Sequence, residues 1–307
     1  MLVDASIIVC TFNRSDSLKA TLNALQVQKI PENLQWEVIV VDNNSNDHTH
    51  AVVEALQQNW HRLRYEFEPR QGLSHARNHG IQSARGKILL FTDDDVLPEQ
   101  DWVVKIITGM QHYRADACGG YIAPIWETPP PAWLTERFHG FLAIRSDRTD
   151  DYPITDRGQA PFGANMAFRK TVFERVGLFD THRGRKGSIL ASGEDGEMFE
   201  RILESGLKVV FLGGARVHHM VETFRLKKSY FRRWRFQTSR NIAQSQGMTG
   251  ENRIFNIPLY LFPQLGRAML RALISKVSAP ADIAFHHEII VWHFLGTMQG
   301  LWQSRKP

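Results

Sequence analysis

One stretch, Lys87-Ile88-Leu89-Leu90-Phe91-Thr92-Asp93-Asp94-Asp95-Val96, constrains the fold of this chain most tightly. Its apolar run suits a central strand of a parallel sheet, covered on both faces. Three adjacent carboxylates follow at once. They cannot join a core, because each charge would lose its hydration without a partner. They also repel one another unless a cation neutralises them. Oxygen ligands at this density suit Mg²⁺ or Mn²⁺, above all an ion shared with a substrate diphosphate. Open α/β sheets bind ligands at the carboxyl ends of their strands, where these acids lie. A solvated acidic turn capping the helix after Pro98 is the competing account.

The sequence around this stretch alternates. Residues 6–10, 36–41 and 63–67 read as strands, and the first two end in the polar turns Thr11-Phe12-Asn13-Arg14 and Asp42-Asn43-Asn44-Ser45-Asn46-Asp47. Helices are predicted from Ser15 or Asp16 to about 27, over 49–59 and over 74–83, with Ser15 or Asp16 as the first cap. Strand–helix alternation of this kind predicts a mostly parallel central sheet flanked by helices. Further on, a helix is expected over 102–113 and strands over 115–122 and 163–168. Another helix is expected over 170–176, and short strands over 208–212 and 215–218. Residues 124–161 are irregular, and their aromatics Trp126, Trp133 and Phe138 favour a functional loop over a linker. Residues 182–187 are basic and glycine-rich, hence expected to be mobile. Ser192-Gly193-Glu194-Asp195 opens a helix running to about 205, and Ser192 with Asp195 has capping-box spacing. Capping alone would therefore account for Asp195.

The 307 residues carry a formal net charge of +5, which points to a polyanionic partner: a nucleotide, nucleic acid or an anionic membrane. The acids at the sheet edge argue against nucleic acid. Cys10 and Cys118 lack metal-site spacing, so a buried thiol in a reducing compartment is expected. Met1-Leu2-Val3-Asp4 leads into a strand without a basic, hydrophobic leader, and no apolar run reaches the length of a membrane span. A cytoplasmic location is expected. From Phe224 the character changes. Arg225, Lys227, Lys228, Arg232, Arg233, Arg235 and Arg240 interleave with Phe224, Tyr230, Phe231, Trp234 and Phe236. Interrupted apolar segments follow over 254–277 and 283–302. A C-terminal helical appendage over 224–307 is predicted, following a catalytic domain over 1–223 whose two halves divide near 122. The appendage would dock on the cytoplasmic face of an anionic membrane, or pack on protein or in a homodimer.

Taken together, these motifs resemble the family 2 glycosyltransferases, whose nucleotide-sugar-binding half has the GT-A fold. The resemblance rests on residues 6–14, on Val38 to Asp47, and on Gly72-Leu73-Ser74-His75-Ala76-Arg77-Asn78 with Ala84-Arg85-Gly86. It rests also on Asp93-Asp94-Asp95, similar to the Asp-X-Asp metal motif, and on Gly193-Glu194-Asp195, similar to the acceptor-side Glu-Asp motif. It covers about residues 3–221. It implies an inverting, metal-dependent transferase moving a sugar from a nucleotide-sugar donor, UDP-type, to a hydroxyl of a glycan, lipid-linked glycan or polysaccharide. Thr11, Asn13 and Arg14 would line the base and ribose pocket. Asp42 would accept from an imide N–H, and Arg77 would donate to a base carbonyl. Asp93 and Asp95 would hold Mg²⁺ or Mn²⁺, with Asp94 on the nucleotide sugar. Asp195 would be the general base and Glu194 an acceptor-side orienting group. His219 falls where the family often places a histidine, as a further metal or diphosphate contact or as an ordinary histidine. A catalytically silent scaffold in a polysaccharide-assembly complex is the alternative; intact Asp93, Asp95 and Asp195 weigh against it.

Overall fold

The computed structural model describes residues 3–185, 187, 190, 192–248 and 252–304; Met1, Leu2 and Lys186, which entered the sequence expectations, lie outside them. Two compact units divide the chain. The first comprises Met1–Ile125, Ala143–Gly187 and Glu194–Met220. The second comprises Trp126–Leu142, Ser188–Gly193 and Val221–Pro307.

The first unit is built on a nine-stranded sheet. Its strands are β1 (Val3–Thr11), β2 (Trp36–Asp42), β3 (Leu63–Phe67), β4 (Gly86–Asp93), β5 (Val96–Pro98), β6 (Ala117–Trp126), β7 (Tyr152–Ile154), β8 (Met166–Arg169) and β9 (Val209–Val221). They run in the order β3-β2-β1-β4-β8-β6-β9-β5, with β7 paired to β9. β3, β2, β1 and β4 are parallel. β8 pairs antiparallel with β4 and β6, and β5 and β7 pair antiparallel with β9. Helices α1 (Ser15–Gln26), α2 (Thr49–Gln57), α3 (Leu73–Ser83), α4 (Trp102–His112), α5 (Thr171–Val176) and α6 (Glu194–Glu204) complete the unit.

Strand alternation explains why the early strands read as continuous apolar runs. Ile7, Val9, Val38 and Val40 enter one core with Leu18, Leu22 and Trp102. Ile8, Ile39, Val41 and Phe91 enter another with Phe168 and Phe199. Successive side chains point to opposite faces and both faces are buried. The parallel register brings three strand ends level: Thr11 lies opposite Asp42, and Cys10 opposite Asp93. Neither Ser15 nor Asp16 caps α1 through its side chain. Asp47, from the turn after β2, accepts instead from Ser15 N at 3.0 Å and from Thr49 N at 3.0 Å. One carboxylate thus serves the first turns of both α1 and α2 and clips the two loops together.

The strands expected over 208–212 and 215–218 are one continuous strand, β9. Gly213-Gly214 resembles a turn in sequence, but a Cβ at Gly213 would collide with the Thr149 carbonyl. Glycine here permits close backbone approach rather than a bend. The basic segment is anchored to α3: Leu73 N donates to Arg185 O at 2.9 Å and Ser74 Oγ to Arg183 O at 3.0 Å.

In the second unit, α7 (Lys228–Gln246), α8 (Leu261–Ser278) and α9 (Ala281–Gln303) gather with the loop Trp126–Leu142. Trp133 meets Phe285 at 4.7 Å and Phe231 at 5.2 Å between ring centroids, and Phe141 meets Trp234 at 4.7 Å. Tyr230 and Phe231, part of the aromatic stripe expected at headgroup level, are buried inside this unit. Among the described residues, no helix is long and apolar enough to cross a membrane.

Candidate active site

The acidic turn after β4 is tied to the end of β1. Thr11 Oγ1 donates to Asp94 Oδ2 at 2.7 Å, and Arg14 Nη1 donates to Asp94 Oδ1 at 3.2 Å and to Asp95 Oδ2 at 2.6 Å. Asp94 and Asp95 are buried, Asp93 only partly so. Burial pushes the Asp94 carboxyl up to about 7, with Arg14 pulling the other way and Asp95 adding to the rise. Burial also raises Asp93, opposed first by Arg77. The charge problem posed by three adjacent acids is therefore met in part by a protein cation, Arg14.

β9 delivers His219 to the same turn. Val96 pairs with His219, and Met220 N donates to Asp95 O at 2.9 Å. His219 Nε2 then lies 3.2 Å from Asp95 Oδ1, while His218, on the other face of the strand, stands 3.4 Å from Glu99. Adjacent ligands of an octahedral ion with bonds of about 2.1 Å stand roughly 3 Å apart, so Asp95 and His219 are spaced as a neighbouring ligand pair. Carboxylate oxygen with imidazole nitrogen suits a hard to borderline divalent ion. Among the described residues, no three His, Cys, Asp or Glu side chains form a group able to hold a metal ion; the structure brings Asp95 and His219 together without completing the expected set with Asp93.

A second cluster forms where α3, the turn before β8 and α6 meet. Arg77 Nη1 donates to Asp195 Oδ1 at 2.6 Å and lies 3.4 Å from Glu194 Oε1. Gly163 N donates to Asp195 Oδ2 at 2.9 Å. The first-turn position of Asp195 would permit capping, but these bonds leave the helix. A Cβ on Gly163 would run into the Arg77 guanidinium, so this position accepts glycine for lack of space. Burial pushes the Glu194 carboxyl up to about 7, with Asp195 adding to the rise and Arg77 opposing it. Among the described residues, Glu194 Oε2 is buried with no hydrogen-bond partner. Arg77, expected at a base carbonyl, is here committed to the two acids of the Glu-Asp motif.

The turn after β2 holds Asp42 as a fixed acceptor. Its Oδ1 accepts from Ser45 N at 2.8 Å and its Oδ2 from Tyr65 OH at 2.8 Å. Asn13, at φ +53°, receives Asn46 N on its Oδ1 at 2.8 Å, so it ties the β1 and β2 turns together. Asn43 does likewise for the next loop: its Nδ2 donates to Glu68 O and Arg70 O, and its Oδ1 accepts from Gly72 N. Sequence reasoning singled out neither Asn43 nor Tyr65 nor Gly163. Asn43 lay in the quoted turn, whereas Tyr65 and Gly163 carried no local signal. Arg185, noted only as part of a basic segment, exerts its charge on Asp93 and Glu194.

The mostly parallel sheet with acids at its strand ends is that of the GT-A fold. Residues 6–177, more than half of the chain, match the family described as Glycosyl transferase family 2. The chain belongs to that family. It is 29% identical over 224 residues to the glucosyl-dolichyl phosphate glucuronosyltransferase of Haloferax volcanii, covering 72% of this chain and 70% of that one. It is 27% identical over 258 residues to the succinoglycan biosynthesis protein ExoM of Rhizobium meliloti, covering 82% of this chain and 78% of that one. Among solved structures, the mannosyltransferase PcManGT of Pyrobaculum calidifontis, in complex with GDP-Man and Mn²⁺, superposes with a TM-score of 0.64 at 18% identity. That match covers 98% of this chain and 88% of the mannosyltransferase.

Proposed function

We propose that the protein transfers a sugar, with inversion, from a nucleoside-diphosphate sugar of the uridine type to a hydroxyl of a lipid-linked glycan or growing polysaccharide. The observation that carries the proposal is the pairing of an acidic, histidine-bearing turn with an Asp195 oriented by Arg77 and Gly163 N in one unit. The dolichyl-phosphate and succinoglycan relatives support the acceptor class, and a lipid-linked acceptor would bring the enzyme to the cytoplasmic face of a membrane.

Asp195 takes the proton of the acceptor hydroxyl as its oxygen attacks the anomeric carbon. The bond from that carbon to the donor diphosphate breaks on the opposite face, so an α-linked donor gives a β-linked product. Each Asp195 oxygen already accepts one bond but keeps a second acceptor site. Arg77 and Gly163 N fix the aim of Asp195, and proton transfer comes late, as the hydroxyl bonds to carbon. Glu194, buried behind Asp195, orients the acceptor side. Arg14 offsets part of the charge of Asp94 and Asp95, which helps an acidic turn tolerate an anionic donor. Asp93, Asp95 and His219 would hold Mg²⁺ or Mn²⁺, which when bound stabilises negative charge on the departing diphosphate. Thr11 and Asn13 shape the nucleotide pocket through the turns they fix, and Asp42 presents its acceptor oxygens to an imide N–H.

The test is nucleoside-diphosphate release by the purified chain from a panel of UDP- and GDP-sugars, with Mn²⁺ and with excess EDTA. Turnover with a UDP-sugar and Mn²⁺ that stops in EDTA is expected. Binding without turnover across the panel would leave the silent-scaffold reading; turnover with GDP-sugars alone would overturn the uridine assignment.

A further inference from the structure

The amphipathic face that remains open lies on α8, not on the basic, aromatic α7. Phe262 is 42% exposed, Met269 54%, Leu270 59%, Leu273 65%, Ile274 54% and Val277 90%. At about 100° per residue these positions fall on one stripe. Leu261, Ala272 and Ser275 are buried on the opposite side. The largest apolar patch on a typical monomer is about 300–600 Å², and six large side chains exposed to this degree reach that range by themselves. Leucine and valine in such numbers have no reason to face water on both a short and a long timescale unless something covers them.

The charges say what covers them. Arg267 and Arg271, one turn apart, border one edge of the stripe, and Lys276 borders the other; all three are exposed. Residues 252–281 contain Arg253 besides these three and neither Asp nor Glu. Just before the helix, Phe255 is 76% exposed and Tyr260 42%, aromatic side chains of the kind that settle at headgroup depth. An apolar stripe with basic flanks and no acids is the pattern of a helix lying in a membrane interface. A second copy of this face would bring its own arginines and lysine against these, with no carboxylate on α8 to answer them. An anionic lipid surface answers all of them at once.

We infer that α8 is an interfacial membrane anchor, lying flat in an anionic leaflet with Leu273 and Val277 in the acyl region and Arg267, Arg271 and Lys276 on lipid phosphates. This concerns where the protein sits and is independent of the transfer chemistry proposed above. The test is co-sedimentation of the full chain with vesicles of phosphatidylcholine alone or with 30% phosphatidylglycerol, a composition chosen on the order of natural anionic content. Wild type is expected to sediment with the anionic vesicles and to be released by salt. Leu273→Asp with Val277→Asp should abolish binding to both kinds. Arg267→Glu with Arg271→Glu should weaken binding to anionic vesicles at least tenfold and leave the residual binding to neutral ones. Both exposed double variants should keep the wild-type Tm and the wild-type rate of nucleoside-diphosphate release. Absence of wild-type sedimentation at low salt, or sedimentation untouched by Leu273→Asp with Val277→Asp, overturns the inference. So does a dimer in light scattering that this double variant splits while vesicles bind neither form. Loss of turnover in wild type with sedimentation intact would count against the proposed reaction and leave the anchor standing.

Discussion

Replacing Arg77 with methionine keeps most of the side-chain length and removes the guanidinium that answers Glu194 and Asp195. The side chains of Arg77, Glu194 and Asp195 are 4%, 6% and 18% exposed. Breaking a buried pair from one side costs about 3–5 kcal/mol, and the partial exposure of Asp195 moves the expectation toward the lower figure. In a domain of this size 1 kcal/mol shifts Tm by roughly 2–4 °C, so a fall on the order of 10 °C is expected. The loss should depend on pH. Burial already pushes Glu194 up to about 7, with Asp195 assisting and Arg77 opposing; without Arg77 it rises further. A carboxyl whose folded pKa lies above its unfolded value destabilises the fold increasingly as pH climbs from the unfolded value to the folded one. Urea unfolding followed by circular dichroism should therefore show a smaller gap between wild type and Arg77→Met at pH 5.5 than at pH 8.5. Adding Glu194→Gln to the variant should recover part of the loss at pH 8.5. A gap equal at both pH values, with no recovery from Glu194→Gln, would refute the ion-pair account.

Three further outcomes follow from the site. Asp195→Asn should lower kcat by roughly 10²–10⁴-fold with donor affinity little changed; a loss seen only as weaker donor binding, by titration calorimetry, would return Asp195 to a capping role. Asp95→Asn should leave the far-ultraviolet circular dichroism intact and remove most transfer, because an amide is a poorer ligand for a hard cation, and full wild-type activity in excess EDTA would remove the metal role. Gly163→Ala, which forces Arg77 off Asp195, should reduce kcat more than donor affinity and lower Tm, and wild-type values for both would show that the collision is relieved at no cost.

What was legible in the sequence was local. β2 and β3 begin where their apolar runs begin, and β1 and β4 extend the expected cores by a few residues, because strands buried on both faces leave an unbroken hydrophobic signature. The polar turns at Asp42 and Asp93 were visible because charge after such a run can only mark its exit. The antiparallel part was harder to read. β9 was split at Gly213-Gly214, since sequence does not tell a glycine that turns from one that lets Thr149 approach. The stripe on α7 was visible as a stripe, but its cover comes from Trp133, Phe138 and Phe285, remote in sequence, so burial and membrane exposure looked alike. The same limit hid the partner of Arg77, which is separated from Asp195 by 118 positions.

Within the acidic turn the three carboxylates have different work, and strand geometry assigns it. Asp94 faces the end of β1, where Thr11 and Arg14 hold both its oxygens; it is the member that locks the turn to the sheet. Asp95 shares Arg14 through one oxygen and faces His219 with the other, so it joins the lock to the proposed cation position. Asp93 remains partly accessible and lies within the field of Arg77, Asp95, His219 and Arg185. A donor diphosphate bound as proposed would therefore meet a turn whose charge Arg14 answers in part, with its most accessible carboxylate under the influence of both clusters. Arg14 and Arg77 divide the acids between them: one stabilises the turn at the donor end, the other the pair that contains Asp195. That division sets two arginines against five carboxylates in one unit, and under the proposed function the cation would act where the sugar leaves its phosphate.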